Sequence, residues 1–249
     1  MNLNDYHCSG SGVIAGGEYG KVSVSGAARA TGDVTCEELH CSGGIKAGGN
    51  LCCKEMHVSG GVKIAGDLTA GTVKTSGSVK TEGNVEIEEA LSVSGSFKVE
   101  GDARLGIAGI SGSCGIEGEA RAKEIKISGS IHCGGNLSAE RFVCSGKTEI
   151  PGLLNAETIE ISASGRCEVG DIGCGSITVQ REWSVFGADR ICLKAESIEG
   201  DTISLENTEA EVVRGKNVTI GRRCEIGRVE YSETLEIVDG GKVGEQVRV

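Results

Sequence analysis

Ser145-Gly146-Lys147-Thr148 carries the Gly-Lys-Thr that closes a phosphate-binding loop. In such a loop the glycines let backbone N–H groups cradle phosphates at a helix N-terminus, and the lysine reaches the outer phosphates. The pattern needs another glycine five residues before Gly146, where this chain has Arg141, and no helical segment follows. Cys36-x-x-x-His40 and Cys53-x-x-x-His57 form a Cys₂His₂ set one repeat apart, and zinc takes such ligands where they converge tetrahedrally. Strand alternation puts Cys36 and Cys53 on an inward file and His40 and His57 on an outward one, which opposes convergence. Paired carboxylates such as Glu37/Glu38 and Glu88/Glu89 suit solvated corners. His7, His40, His57 and His132 all read as outward-facing, with no nucleophile beside them. No catalytic, cofactor-binding or metal-binding residue is assigned, and neither an enzyme activity nor a cofactor is expected.

The twelve cysteines suggest a disulfide framework only in a secreted mini-domain. Met1 to Tyr6 is polar and lacks the apolar run of a signal peptide, so a cytoplasmic protein with free thiols is expected. Cys41, Cys114, Cys133 and Cys144 fall where other repeats place Val or Ile and act as small core residues; Cys52 points outward. The net charge of −11 and pI of about 5.0 disfavour nucleic acid and anionic lipid. No apolar run approaches the roughly 20 residues that span a bilayer, so any membrane association is expected to run through partners at its inner face.

The elements that position these residues follow from a repeat. Ser-Gly pairs start at Ser9, Ser25, Ser42, Ser59, Ser76, Ser94, Ser111, Ser128 and Ser145, in steps of 16, 17, 17, 17, 18, 17, 17 and 17 residues. A second glycine lies seven residues after each serine, followed in most repeats by Asp, Asn or Glu. Gly, Asn and Asp tolerate the positive φ of sharp corners. Between corners, apolar residues alternate, as in Met56/Val58, Val62/Ile64 and Leu68/Ala70, so each pair faces one side of a strand. Three strands and three corners per turn describe a triangular all-β coil, a single-domain parallel β-helix of about 17 residues per rung. At roughly 14 rungs stacked about 4.8 Å apart it would be about 65 Å long. With 41 glycines and 3% aromatic residues, the chain suits a thin core. Regular rungs are expected over 1–179, an irregular loop or insertion containing Trp183 and Phe186 over 180–200, and continuous rungs over 201–249. The latter carry Ile203, Ile220 and Ile237 at 17-residue spacing.

Rungs such as Val24-Ser-Gly-Ala-Ala-Arg-Ala-Thr-Gly-Asp-Val34 and Val58-Ser-Gly-Gly-Val-Lys-Ile-Ala-Gly-Asp-Leu68 resemble those of the bactofilins, closely over residues 8–180 and loosely over 200–249. The resemblance implies a right-handed β-helix that polymerises end to end without nucleotide. It implies a cytoskeletal scaffold serving cell shape, polarity or motility, with itself, a paralogous bactofilin, or cell-envelope and motility proteins as partners. Against the family the chain is expected to be a long form, nearly all solenoid, with little or no flexible tail. Unpaired terminal strands template association independently of any family. The expected assembly residues are Val13, Val22 and Val24 at the N-terminal edge, and Leu235, Ile237, Val243 and Val247 at the C-terminal one. The alternatives are a monomeric binding module, for instance through the stripe His40, His57 and Lys74, and a β-helix carbohydrate-active enzyme.

Overall fold

The computed structural model describes residues 3–162, 165–180 and 191–249; Trp183 and Phe186 lie outside them. All regular elements of the described residues are strands, wound as a parallel β-solenoid of about 14 turns of about 17 residues. The chain forms two compact units, residues 1–122 and 123–249.

In the first unit a turn contributes a four-residue strand, such as Gly44–Ala47 or Gly61–Ile64, and a longer one, such as Leu51–Val58 or Leu68–Thr75. The long strand bends once. Leu51 and Cys53 point inward, Lys54 and Glu55 both face solvent, and Met56 and Val58 point inward again. Each turn therefore has three arms. The first ends at Ser-Gly, the second runs from Ser-Gly to Gly-Asx, and the third follows Gly-Asx. Successive turns pair in parallel, as in Val34↔Leu51↔Leu68 and Leu39↔Met56↔Val73. The single 18-residue step is absorbed at a corner, where the pairing register shifts between Ile87 and Ala90. Inward files hold Val, Ile, Leu, Ala and Cys at a few per cent exposure or less, the narrow core that an aromatic-poor composition allows.

The corner glycines do not carry the positive φ that their residue type suggests. Among the described residues only Gly17, Asn207, Arg223, Asp239 and Gly240 do. What the Ser-Gly corner requires is closeness. A Cβ on Gly60 would collide with the backbone carbonyl oxygens of Gly43 and Ser42 on the turn below, and the same holds at Gly43 and Gly77. The residue after the second corner glycine has a different task. Asp33 Oδ1 accepts from the Asn50 N–H at 2.7 Å, Asn50 Oδ1 from Asp67 N–H at 2.9 Å, Asp67 Oδ1 from Asn84 N–H at 2.7 Å and Asn84 Oδ1 from Asp102 N–H at 2.9 Å. Asp and Asn recur there because a short side chain with an acceptor oxygen reaches the same N–H one turn on.

In the second unit the corners soften and strands lengthen. Lys147–Ile161, Cys167–Val179, Leu193–Leu205, Thr208–Ile220 and Glu225–Ile237 each run through all three arms. Of the irregular stretch expected over 180–200, residues 181–190 lie outside the described residues and 193–200 are regular strand. Strand structure resumes at Leu193, and Leu193–Leu205 pairs along its length with Cys167–Val179. Asp171 and Ser197, which share a hydrogen bond, are 26 residues apart. The inserted residues therefore precede Leu193, and the turn that follows lacks the Ser-Gly and Gly-Asx marks by which register is read from sequence. Its inward residues, Leu193, Ala195, Ile198, Ile203 and Leu205, are all buried. The next corners use left-handed residues, Asn207 (φ 51°), Arg223 (φ 56°) and Asp239 (φ 53°), a conformation that Asn and Asp adopt with less strain than Arg.

Two consequences are measurable. Gly60→Ala is expected to cost about 2–4 kcal/mol through its backbone collision. Gly61→Ala, where an added Cβ meets nothing within 4 Å, is expected to stay within about 0.5 kcal/mol of the parent; denaturant melts compare the two. Thr81 sits on an inward file between Ile64 and Val99, its hydroxyl buried and without a hydrogen-bond partner among the described residues. Thr81→Val is therefore expected to raise stability by about 1 kcal/mol in the same assay.

Candidate functional site

Among the described residues the ladder stops at the terminal strands. At the N-terminal edge, Tyr6–Cys8 pairs with Val22–Val24, Ser11–Ile14 with Ala27–Ala30, and Gly17–Tyr19 with Val34–Cys36. Among the described residues these three arms have a strand partner on one side only. Asn4 and Asp5 extend the edge, accepting from the Gly20 N–H at 3.0 Å and the Lys21 N–H at 2.9 Å. Tyr6 and Tyr19 occupy inward files above Val22 and Cys36, their rings edge to face at 6.3 Å and 75°, and the Tyr19 hydroxyl donates to Ala15 O at 2.8 Å. The two rings lie at the end of the inward files. Burial and the neighbouring Cys8 thiol raise the Tyr6 phenol above its ordinary value.

The expected N-terminal residues are thereby corrected. Val22 and Val24 are 0% and 1% exposed, because Tyr6–Cys8 continues the coil for one more turn and covers them. Val13 does belong to an edge strand, at 64% exposure, but it points outward in the same file as Arg29. Tyr6 and Tyr19 are the residues that the sequence reading missed. Stepping back one repeat from Val22 and Cys36 reaches both.

At the C-terminal edge, Leu235 and Ile237 stack on Val218 and Ile220, and nothing among the described residues stacks above them. Val218 and Ile220, each covered by a turn, are buried, while Ile237, with none of the described residues stacked on it, is 39% exposed. The last strand, Lys242–Arg248, lies on Glu225–Tyr231, with Val243 over Ile226 and Gln246 over Val229. Val247 stands on Glu230 instead, so it leaves the inward file, which ends in Gln246. The two inward residues on either side of this corner are three apart, and the sequence reading had placed Val247 one position late. Lys242 bonds Glu225 at 2.8 Å, which holds the Glu225 carboxyl below its ordinary value and raises the Lys242 ammonium.

The other candidate residues from the sequence lie apart in the fold. Gly146 is a repeat corner packed on Gly129 O, Thr148 is 1% exposed and Lys147 faces Glu149 at 3.4 Å within a strand. Cys36 and Cys53 are buried on adjacent turns, while His40 and His57 stack outside with ring centroids 5.0 Å apart. Among the described residues no group of three or more His, Cys, Asp or Glu side chains is arranged to hold a metal ion. All twelve cysteines are free thiols. Cys144 Sγ lies 3.6 Å from Cys167 Sγ and 3.2 Å from Thr148 Oγ1. The hydrogen bond from Cys167 lowers the Cys144 thiol to about 7 and pushes Cys167 up, yet both are fully buried. Burial raises the half-buried Cys174 thiol to about 12.

No family model matches the chain, and no solved structure matches it. Two curated proteins of Bacillus subtilis (strain 168) are similar to part of it. YhbF, an uncharacterized protein, is 44% identical over 81 residues, 32% of this chain and 34% of that protein. YhbE, also uncharacterized, is 42% identical over 78 residues, 30% of this chain and 32% of that protein. The chain thus spans about a third of the curated relatives it matches.

Because Cys52 alone among the thiols is exposed, native protein is expected to react rapidly with a thiol reagent at one site. Cys52→Ser should remove that phase, and unfolding should release the rest. A second fast thiol in the Cys52→Ser variant would contradict the burial described.

Proposed function

We propose that this protein is a self-assembling structural scaffold of the kind the bactofilin resemblance implies, built by stacking the terminal turns of one copy on those of another without nucleotide. The observation that carries this reading is the open C-terminal edge. Leu235 and Ile237 sit on inward files whose lower members are buried, and among the described residues no further turn lies on them. A further parallel turn from another copy removes their apolar surface from water, worth about 25 cal/mol per Å². It also pairs the free N–H and C=O groups of the edge. The N-terminal edge, lined by Tyr6 and Tyr19, offers unpaired strands of the same spacing. End use of one edge closes in pairs, and use of both propagates a filament. A cytoplasmic scaffold for cell shape, polarity or motility, joined by a paralogue or by envelope partners, follows from the same reading.

Purified protein without nucleotide or metal is expected to form filaments or bundles in negative-stain electron microscopy. Leu235→Lys/Ile237→Lys should leave short or single species while melting like the parent, since both residues are already partly exposed. Monodisperse protein under every salt and concentration, or unchanged filaments from variants at both edges, would overturn the proposal.

A further inference from the structure

The outer face of the second arm in the first unit is a charged surface that the fold itself does not demand. Arg29, Lys46, Lys63, Lys80 and Lys98 stand in one file, paired turn on turn. They are five of the ten Lys and Arg residues in 1–122, in a chain of net charge −11. The second-arm strands from Ser11–Ile14 to Ser113–Ile116 contain no acidic residue. Like charges about 4.8 Å apart repel. On three turns the fold relieves this with a corner glutamate one turn on: Lys63–Glu82 at 2.7 Å, Lys80–Glu100 at 2.7 Å and Lys98–Glu117 at 3.0 Å. For Arg29 and Lys46 the corresponding corner residues are Gly48 and Ala65, and neither cation has an acidic partner among the described residues. In the second unit the equivalent arm neutralises itself, with Lys194–Glu209 at 3.0 Å and Lys242–Glu225 at 2.8 Å.

Beside the cations runs a shallow groove of about 590 Å³ whose floor is Ala27, Gly44, Gly61 and Ser78. Unlike the Ser-Gly corners, Gly44 and Gly61 have no steric reason to be glycine. An added Cβ meets nothing within 4 Å, and neither has a positive φ. Side chains there would fill the groove that their absence keeps open.

We infer that this face is a binding groove for a linear, base-free phosphate polymer lying along the cation file. Several features select that chemistry. The backbone groups of the face are committed to the ladder between turns, so an acidic peptide would gain no main-chain bonds. Phosphates need only point charges, which Lys supplies, and the fork of Arg29. The face has no aromatic side chain on which nucleic-acid bases could stack. A single file bordered by Glu82, Glu100 and Glu117 matches a line of charge better than a lipid surface.

The probe is long-chain inorganic polyphosphate, titrated against the full chain by fluorescence anisotropy at several salt concentrations. Binding is expected with a log–log salt slope of about −2 to −3.5. Arg29→Gln/Lys46→Gln should weaken it by about tenfold or more. Gly44→Val/Gly61→Val should weaken it with every charge retained. Arg104→Gln/Arg121→Gln, on the third arm, should leave it unchanged, and all variants should melt like the parent. Absence of binding overturns the inference, as does equal loss in the Arg104/Arg121 variant or none in the Arg29/Lys46 variant. Equally tight binding of oligo-thymidine, polyglutamate or anionic phosphatidylglycerol vesicles would overturn it in favour of that ligand. The outcome does not depend on filament formation, which the terminal-edge variants test separately.

Discussion

Each unit depends on one repeated interaction, the hydrogen-bonded ladder that holds every turn in parallel register about 4.8 Å above the last. Its bonds recur at the same places: the Ser42, Ser59 and Ser76 N–H groups donate to Val24, Cys41 and Val58 carbonyls at 2.8–2.9 Å. Because register is fixed, a residue type placed once is stacked on its like. The Ser-Gly glycine follows from this spacing, since two corners this close leave no room for a Cβ. The Asx file follows as well, because the side-chain oxygen lies one turn from the next N–H.

The same constraint shapes the surface. Stacking gathers charge into files, and the fold offsets much of it with an opposite charge one turn away, in the same file or in a neighbouring one. Lys21 reaches Glu38, Lys54 reaches Glu37, and Arg141 bridges Glu124 and Glu160. Exposed pairs of this kind add little stability individually. Their effect is to keep the files from repelling. Where the offset is missing, at Arg29 and Lys46, the cations remain available to something outside the chain.

A solenoid also has no natural end, since each turn is complete only when another lies on it. At the N-terminal edge two tyrosines occupy the final inward files. At the C-terminal edge those over Val218 and Ile220 end in partly exposed Leu235 and Ile237, while the one over Val229 ends in Gln246. Apolar side chains and unpaired backbone meet at the same strands, so among the described residues the C-terminal edge leaves both uncovered.

The 17-residue step, the alternation and the corner residues determined the three-armed turn, its inward cysteines and the outward histidines from sequence alone, because each rests on local periodicity. The step of 18 put an extra residue somewhere between Ser76 and Ser94, and the structure placed it at the corner between Ile87 and Ala90. Tertiary structure decided what depends on neighbouring turns. It showed that corner glycines serve close stacking rather than positive φ, which no single turn reveals. It moved Val22 and Val24 inside by adding one turn from Tyr6–Cys8, and it put Gln246 rather than Val247 on the inward file. It restored regular pairing from Leu193, where the corner marks are absent but the apolar residues still find their file. Sequence reads the period of a turn, and only the stacked structure shows what lies above and below it.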